Sequence, residues 1–72
     1  MVNIERKVND LINDLTILNW KTSIPIILKN IKNNSSISEE KKTILIKQLM
    51  IAHRNIKSAI KSLGFLNDEL TK

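Results

Sequence analysis

The sequence contains a single histidine, His53, and no cysteine, so His53 is the first residue to consider for catalysis. A histidine that acts as a general base needs an orienting partner and a nucleophile within reach. The serines of the chain are not set in a GxSxG elbow or a glycine-rich oxyanion loop, the local patterns of acyl-transfer sites. The sequence therefore predicts no catalytic residue and a protein that is not an enzyme.

A metal site is the second chemistry to consider. Asp10 and Asp14 are four residues apart, so one face of a helix would carry both carboxylates. His53 would complete a three-ligand set only if the fold brought it to that face. Carboxylates next to basic residues such as Arg6 and Lys7 more often form a solvated helix face. Because no Walker loop, dinucleotide fingerprint, HExxH motif or EF-hand spacing is present either, we expect no metal and no cofactor.

The basic residues offer a third chemistry, contact with phosphate groups. There are 12 lysines and arginines against 7 acidic residues, a formal net charge of +5. Four of them would share one face of a helix, and we call this set the basic stripe: Lys47, Arg54, Lys57 and Lys61. The stripe has two interpretations, a surface that follows a nucleic-acid backbone and an ordinary solvated lysine-rich face. Arginine, the residue best suited to reading bases, is scarce, and we favour the solvated face.

Helices must position these residues, because apolar residues recur at helical spacing along most of the chain. The stripe Ile4, Val8, Leu11, Leu15 and Leu18 predicts a first helix over about residues 3–19, with Asn3 as its N-cap. A second helix over about residues 23–33 has Pro25 in its first turn, where the missing N–H costs no hydrogen bond. The two apolar stripes differ in phase by about 180°, which predicts a corner near Trp20–Ser23 in place of one rod kinked at Pro25.

The third helix is predicted to be the longest, over about residues 37–63, with Ser36 and Ser38 as alternative N-caps. Its apolar stripe contains Leu45, Leu49, Ala52, Ile56, Ala59 and Leu63. Gly64 and Phe65 fit the positions that follow a helix end in a Schellman motif, with Phe65 touching Ile60. The predicted fold is all-α, a small three-helix bundle that forms a single helical domain over residues 1–72.

Several apolar residues lie off these stripes. The first half of the third helix is apolar nearly all round, and a helix that is apolar on every side is normally buried on every side. One alternative is that a second surface covers it, either a twin subunit that dimerises through the third helix or a different protein. The other alternative is that the first and second helices flank the third and cover both of its sides, which leaves only isolated exposed isoleucines. The residues predicted for a protein interface are Trp20, Ile26, Ile46, Met50 and Ile51. Trp20 has a second interpretation as the cap of the core.

These patterns predict a small non-enzymatic protein-binding module. Small basic helical proteins of this size occur among the regulators and inhibitors that phages and other mobile elements encode, and by this comparison alone we expect a regulator or inhibitor of that kind. The alternative function is nucleic-acid binding through the basic stripe. No apolar run approaches the about 20 residues that span a bilayer, and the first residues have no apolar signal core. We therefore expect a cytoplasmic protein whose partner is not a membrane.

Overall fold

The computed structural model describes residues 3–71. Within this range 87% of the residues are helical and no β-strand is present. The helices are α1 (Ile4–Trp20), α2 (Ser23–Asn33) and α3 (Glu39–Leu70). The prediction of an all-α fold is confirmed.

α1 and α2 form one bent segment, because only Lys21 and Thr22 separate them. The backbone N–H groups of Lys21 and Thr22 both donate to the carbonyl of Ile17, at 2.8 and 2.9 Å. Thr22 leaves the helical conformation, with φ −120° and ψ −95°. Pro25 explains where the break falls, since its ring would collide with the carbonyl of Lys21 in a continuous helix. The bend therefore lies at the position that the sequence predicts, with Pro25 in the first turn of α2, but α1 and α2 form one bent arm and not two separate helices of a bundle.

α3 runs antiparallel to this bent segment. At one end the Lys42 ammonium donates to the carbonyl of Lys32 at 3.0 Å, and towards the other end the Asn67 amide donates to Asn9 Oδ1 at 2.6 Å. α1 and α2 both pack against α3. The molecule measures 51 × 16 × 15 Å, and its long dimension is close to the about 48 Å expected for the 32 residues of α3. In place of three separate helices around one core, the residues described here form a long helical hairpin with one bent arm.

The starts of α1 and α3 follow predicted caps, but the end of α3 lies beyond its predicted position. Asn3 Oδ1 accepts from the N–H of Arg6, and Ser38 Oγ accepts from the N–H of Lys41, each at 3.1 Å. Gly64 lies inside α3 and its φ is not positive, so the predicted helix end at Leu63 and the Schellman motif are wrong. The physical reason is that glycine inside a helix costs only about 1 kcal/mol, which packing of the following turns can offset.

The two arms enclose a very small core. Among residues 3–71 only Val8 and Ile24 are buried apolar side chains, whereas eleven large apolar side chains are exposed. Ile4 and Leu11, predicted for the core, are among the exposed ones, because α3 covers only one flank of α1. The radius of gyration is 16.1 Å, against about 11 Å for a compact domain of this length. The hairpin therefore leaves a large apolar surface uncovered.

Candidate docking site

Asn19 joins the two arms at the middle of the hairpin and is 1% exposed. Its Nδ2 donates to the backbone carbonyl of His53 at 3.2 Å, and its Oδ1 lies 2.9 Å from His53 Nδ1. Because a carbonyl oxygen can only accept, the amide orientation is set by this first bond, and Nδ1 of His53 must carry the hydrogen that it donates to Oδ1. The His53 ring is thereby fixed to the end of α1.

The surroundings of His53 are those of a packed residue. Its neighbours are the Asn19 amide and the Trp20 ring, neither of which is a nucleophile. Asp10 and Asp14 are exposed on α1 and are not brought to His53. In the range 3–71, no three histidine, aspartate or glutamate side chains come together as a metal-binding group.

Trp20 begins an apolar surface that we call the Trp20 face, formed by Trp20, Ile46 and Met50. The Trp20 and His53 rings meet edge to face, with centroids 5.4 Å apart and planes at 75°. Met50 and Ile46 precede His53 by three and seven residues in α3, so they continue the same row along the helix. Trp20 is 46% exposed, while Ile46 and Met50 are half-buried. Three of the five predicted interface residues therefore lie on one side of the hairpin.

The other two predicted interface residues lie elsewhere. In α2, Ile24 and Leu28 face α3, and Ile26 is exposed on the opposite side of the helix. Ile51 is exposed on the side of α3 that is turned away from α1 and α2. The structure does not join Ile26 and Ile51 to the Trp20 face.

The basic stripe is exposed to solvent. Lys47, Arg54, Lys57 and Lys61 are all exposed, and none of them forms an ion pair with another residue of the range 3–71. An ion pair joins Lys42 and Glu39 at 3.4 Å, near the turn between α2 and α3, away from the stripe. The stripe therefore keeps four uncompensated positive charges on the outer side of α3.

A further apolar surface was not predicted from the sequence. Ile4 and Leu11 of α1 and Leu66 and Leu70 of α3 are between 42% and 58% exposed, and we call them the Leu11 face. The sequence analysis placed Ile4 and Leu11 in the core and ended α3 before Leu66. The available signal was the width of the apolar arc in α1, which runs from Leu11 past Val8 to Ile12 and is too wide for one neighbouring helix to cover.

The chain matches no family model, no curated protein and no solved structure. No helix within residues 3–71 is long and apolar enough to cross a membrane. The functional argument therefore rests on the residues and on their arrangement in the hairpin.

Proposed function

We propose that this chain is a non-catalytic protein-binding module, a small regulator or inhibitor that docks a helical face on a partner protein. The observation that carries the proposal is the uncovered apolar surface, with eleven large apolar side chains exposed against two buried among residues 3–71. Apolar surface that forms a contiguous patch marks interaction sites in soluble proteins. The part that we assign to the partner is the Trp20 face, which combines the exposed Trp20 with the half-buried Ile46 and Met50.

The composition of the Trp20 face supports this assignment. Tryptophan is enriched among the residues that dominate binding energy, and methionine adapts its shape to a partner surface. His53 and Asn19 hold the Trp20 ring against α3, so that the side chain is ordered before a partner arrives. Ordering in advance reduces the entropy cost of binding. Trp20 is still 46% exposed, and a partner can bury this surface.

Two lysines on the Trp20 face test the proposal. The variant Ile46→Lys with Met50→Lys is expected to lose a partner that the wild-type protein retains from an extract of its source cell. The physical reason is that a docked partner would bury two unpaired charges. Retained proteins are compared by mass spectrometry, and circular dichroism establishes that the variant keeps its helicity.

The matched control is Gln48→Lys with Asn55→Lys, which adds the same charge at exposed positions of α3. Trp20→Ala is a second test variant, since it removes a half-exposed ring without adding charge. Retention of the partner by both test variants, with fold and mass unaltered, would exclude the Trp20 face. Loss of the partner from the control as well would attribute the effect to net charge.

A second candidate function is nucleic-acid binding through the basic stripe. The observation that favours it is that the four side chains are exposed and unpaired within residues 3–71. Positive charges along one helix face can follow a phosphate backbone without reading sequence. The stripe lies wholly on α3, whereas the Trp20 face also includes Trp20 of α1. The two surfaces have no residue in common, so separate substitutions test the two functions.

A further inference from the structure

The Leu11 face is the apolar surface for which the structure indicates a particular occupant. The hydrogen bonds Asn9–Asn67 and Asn19–His53 fix the register of α1 against α3. Leu11 is two residues from Asn9 and Leu66 is next to Asn67, so Leu11 and Leu66 are at the same level of the hairpin. Ile4 and Leu70 extend the surface toward the open end.

Helix geometry puts both halves of this face on the same side of the hairpin. On a helical wheel, the position of each residue is given by its rotation about the helix axis. On the wheel of α1, Leu11 lies at a smaller rotation than the covered residues Val8 and Asn19. On the wheel of α3, Leu66 likewise lies at a smaller rotation than the half-buried residues Ile60 and Asn67. In a pair of antiparallel helices, residues that are rotated in the same direction from the contact line lie on the same side of the pair. The Leu11 face is therefore one apolar surface, formed by α1 and by the part of α3 that packs beside it.

The amount of uncovered surface fits one more layer of helices. The accessible surface is 5749 Å², against about 4,600 Å² for a compact monomer of this mass. The excess of roughly 1,100 Å² is comparable with the about 800 Å² that each partner buries in an interface of standard size. A second hairpin laid on the Leu11 face would remove an excess of this order.

Charge placement indicates that the second hairpin is another copy of this chain. Lys7 and Asp14 lie on the outer edge of the stripe Ile4, Leu11 and Leu18, one on either side of Leu11. If two α1 helices pack antiparallel with Leu11 at the centre, Lys7 of each copy meets Asp14 of the other, and Ile4 meets Leu18. A two-fold symmetric interface requires this kind of self-complementarity.

We propose that two copies of this chain associate through the Leu11 face, with α1 antiparallel to α1 of the second copy, into a four-helix bundle. This proposal rests on the proposed function in one respect, because both start from the uncovered apolar surface of the hairpin. It assigns a second copy of the chain to the Leu11 face. It assigns a different face from the Trp20 face, however, and the second copy leaves that face open.

The first test is the molar mass of the full chain in solution. Sedimentation equilibrium at micromolar concentration is expected to give twice 8.3 kDa for the wild-type protein and for the control Ile51→Glu. Leu11→Glu and Leu66→Glu are each expected to give 8.3 kDa. Both positions are exposed in the single hairpin, so circular dichroism should show helicity retained. A wild-type protein of single mass, or glutamate variants that stay dimeric, would overturn the proposal.

The second test addresses the antiparallel arrangement. Lys7→Glu and Asp14→Lys each replace two attractive contacts by repulsive ones, and each is expected to weaken dimerisation by several-fold, up to about thirtyfold. The double variant Lys7→Glu with Asp14→Lys restores opposite charges and is expected to return to within about threefold of wild type. A double variant weaker than both single variants would overturn the arrangement.

Failure of this inference can be told apart from failure of the proposed function. Substitutions at Leu11 and Leu66 change the mass of the purified protein and need no partner. Substitutions at Ile46 and Met50 change retention of a partner and, if the Leu11 face forms the dimer, leave the mass at the dimer value. Dissociation of the dimer by Ile46→Lys with Met50→Lys, but not by Leu11→Glu, would overturn the choice of face.

Discussion

Asn19 is a polar residue on the face of α1 that packs against α3. The neighbouring positions on this face are apolar. The residues that precede it on this face at helical spacing are Val8, Ile12 and Leu15. Both ends of the Asn19 amide contact His53, one at the backbone and one at the ring. A polar group that can be satisfied in only one alignment selects that alignment. We infer that Asn19 selects the register of the two arms.

Replacing Asn19 tests the energetic part of this role. Asn19→Ala is expected to lower the free energy of unfolding by about 1–3 kcal/mol, since it removes a buried amide and leaves its His53 partners unsatisfied. Urea unfolding followed by Trp20 fluorescence measures the change. Asn13→Ala, at an exposed position of the same helix, is the control and should stay within about 0.5 kcal/mol of wild type. Equal stability of the two variants would contradict the role of Asn19.

At the scale of the element, the length of α3 depends on the backbone conformation of Gly64, which is helical and not left-handed. α3 continues for six residues beyond Gly64, and Asn67 in that extension donates to Asn9 of α1. The extension carries Leu66 and Leu70 and so creates half of the Leu11 face. A helix that ended at Leu63 would leave α1 without a neighbour at its first turns.

Gly64→Ala distinguishes the two conformations. A Cβ built on Gly64 meets nothing within 4 Å, and the backbone is helical. We expect the free energy of unfolding to rise by about 0.5–1 kcal/mol, because alanine favours the helix and restricts the unfolded chain. The melting temperature would then rise by a few degrees, about 4 °C or more per kcal/mol. Ala59→Gly, at an exposed position one turn earlier, should lower stability by a similar amount. A loss of stability in Gly64→Ala would indicate a left-handed residue and a helix end there.

At the scale of the whole molecule, the net charge of +5 is carried by a narrow rod. The basic stripe lies on its outer side, and no carboxylate within residues 3–71 pairs with it. Such a surface attracts polyanions in general, so affinity alone does not identify a nucleic-acid-binding protein.

The salt dependence of binding to random-sequence duplex DNA tests the basic stripe. Fluorescence anisotropy at two salt concentrations is expected to show weaker binding for Lys47→Glu with Lys61→Glu. The slope of log K against log salt should fall by about 0.9 for each phosphate contact removed. Arg6→Glu with Lys21→Glu makes the same charge change on the other arm and serves as control. A flat salt response in the wild-type protein, or equal losses in the two double variants, would count against the stripe as a binding surface.

Local rules in the sequence were sufficient for much of the fold. Asn3 could be recognised as an N-cap, and Ser38 as one of two candidates beside Ser36, because a side-chain oxygen before a helix accepts an otherwise unpaired N–H. The corner at Lys21 and Thr22 followed from Pro25 and from the opposed phases of the two apolar stripes. For the candidate site, the sequence identified Trp20, Ile46 and Met50 but could not separate them from Ile26 and Ile51. That separation depends on how the helices turn relative to one another.

The sequence by itself determined that this chain is helical, where two of the helices begin and where its first arm bends, since these features depend on residues within a turn or two of each other. Only the tertiary structure decided that α3 passes through Gly64, that Asn19 meets His53 and that Leu11 is left exposed. Each of these depends on which flank of a wide apolar arc a neighbouring helix covers. Periodicity gives the direction of the arc, but the register and rotation of the packed helices decide which part of it is buried.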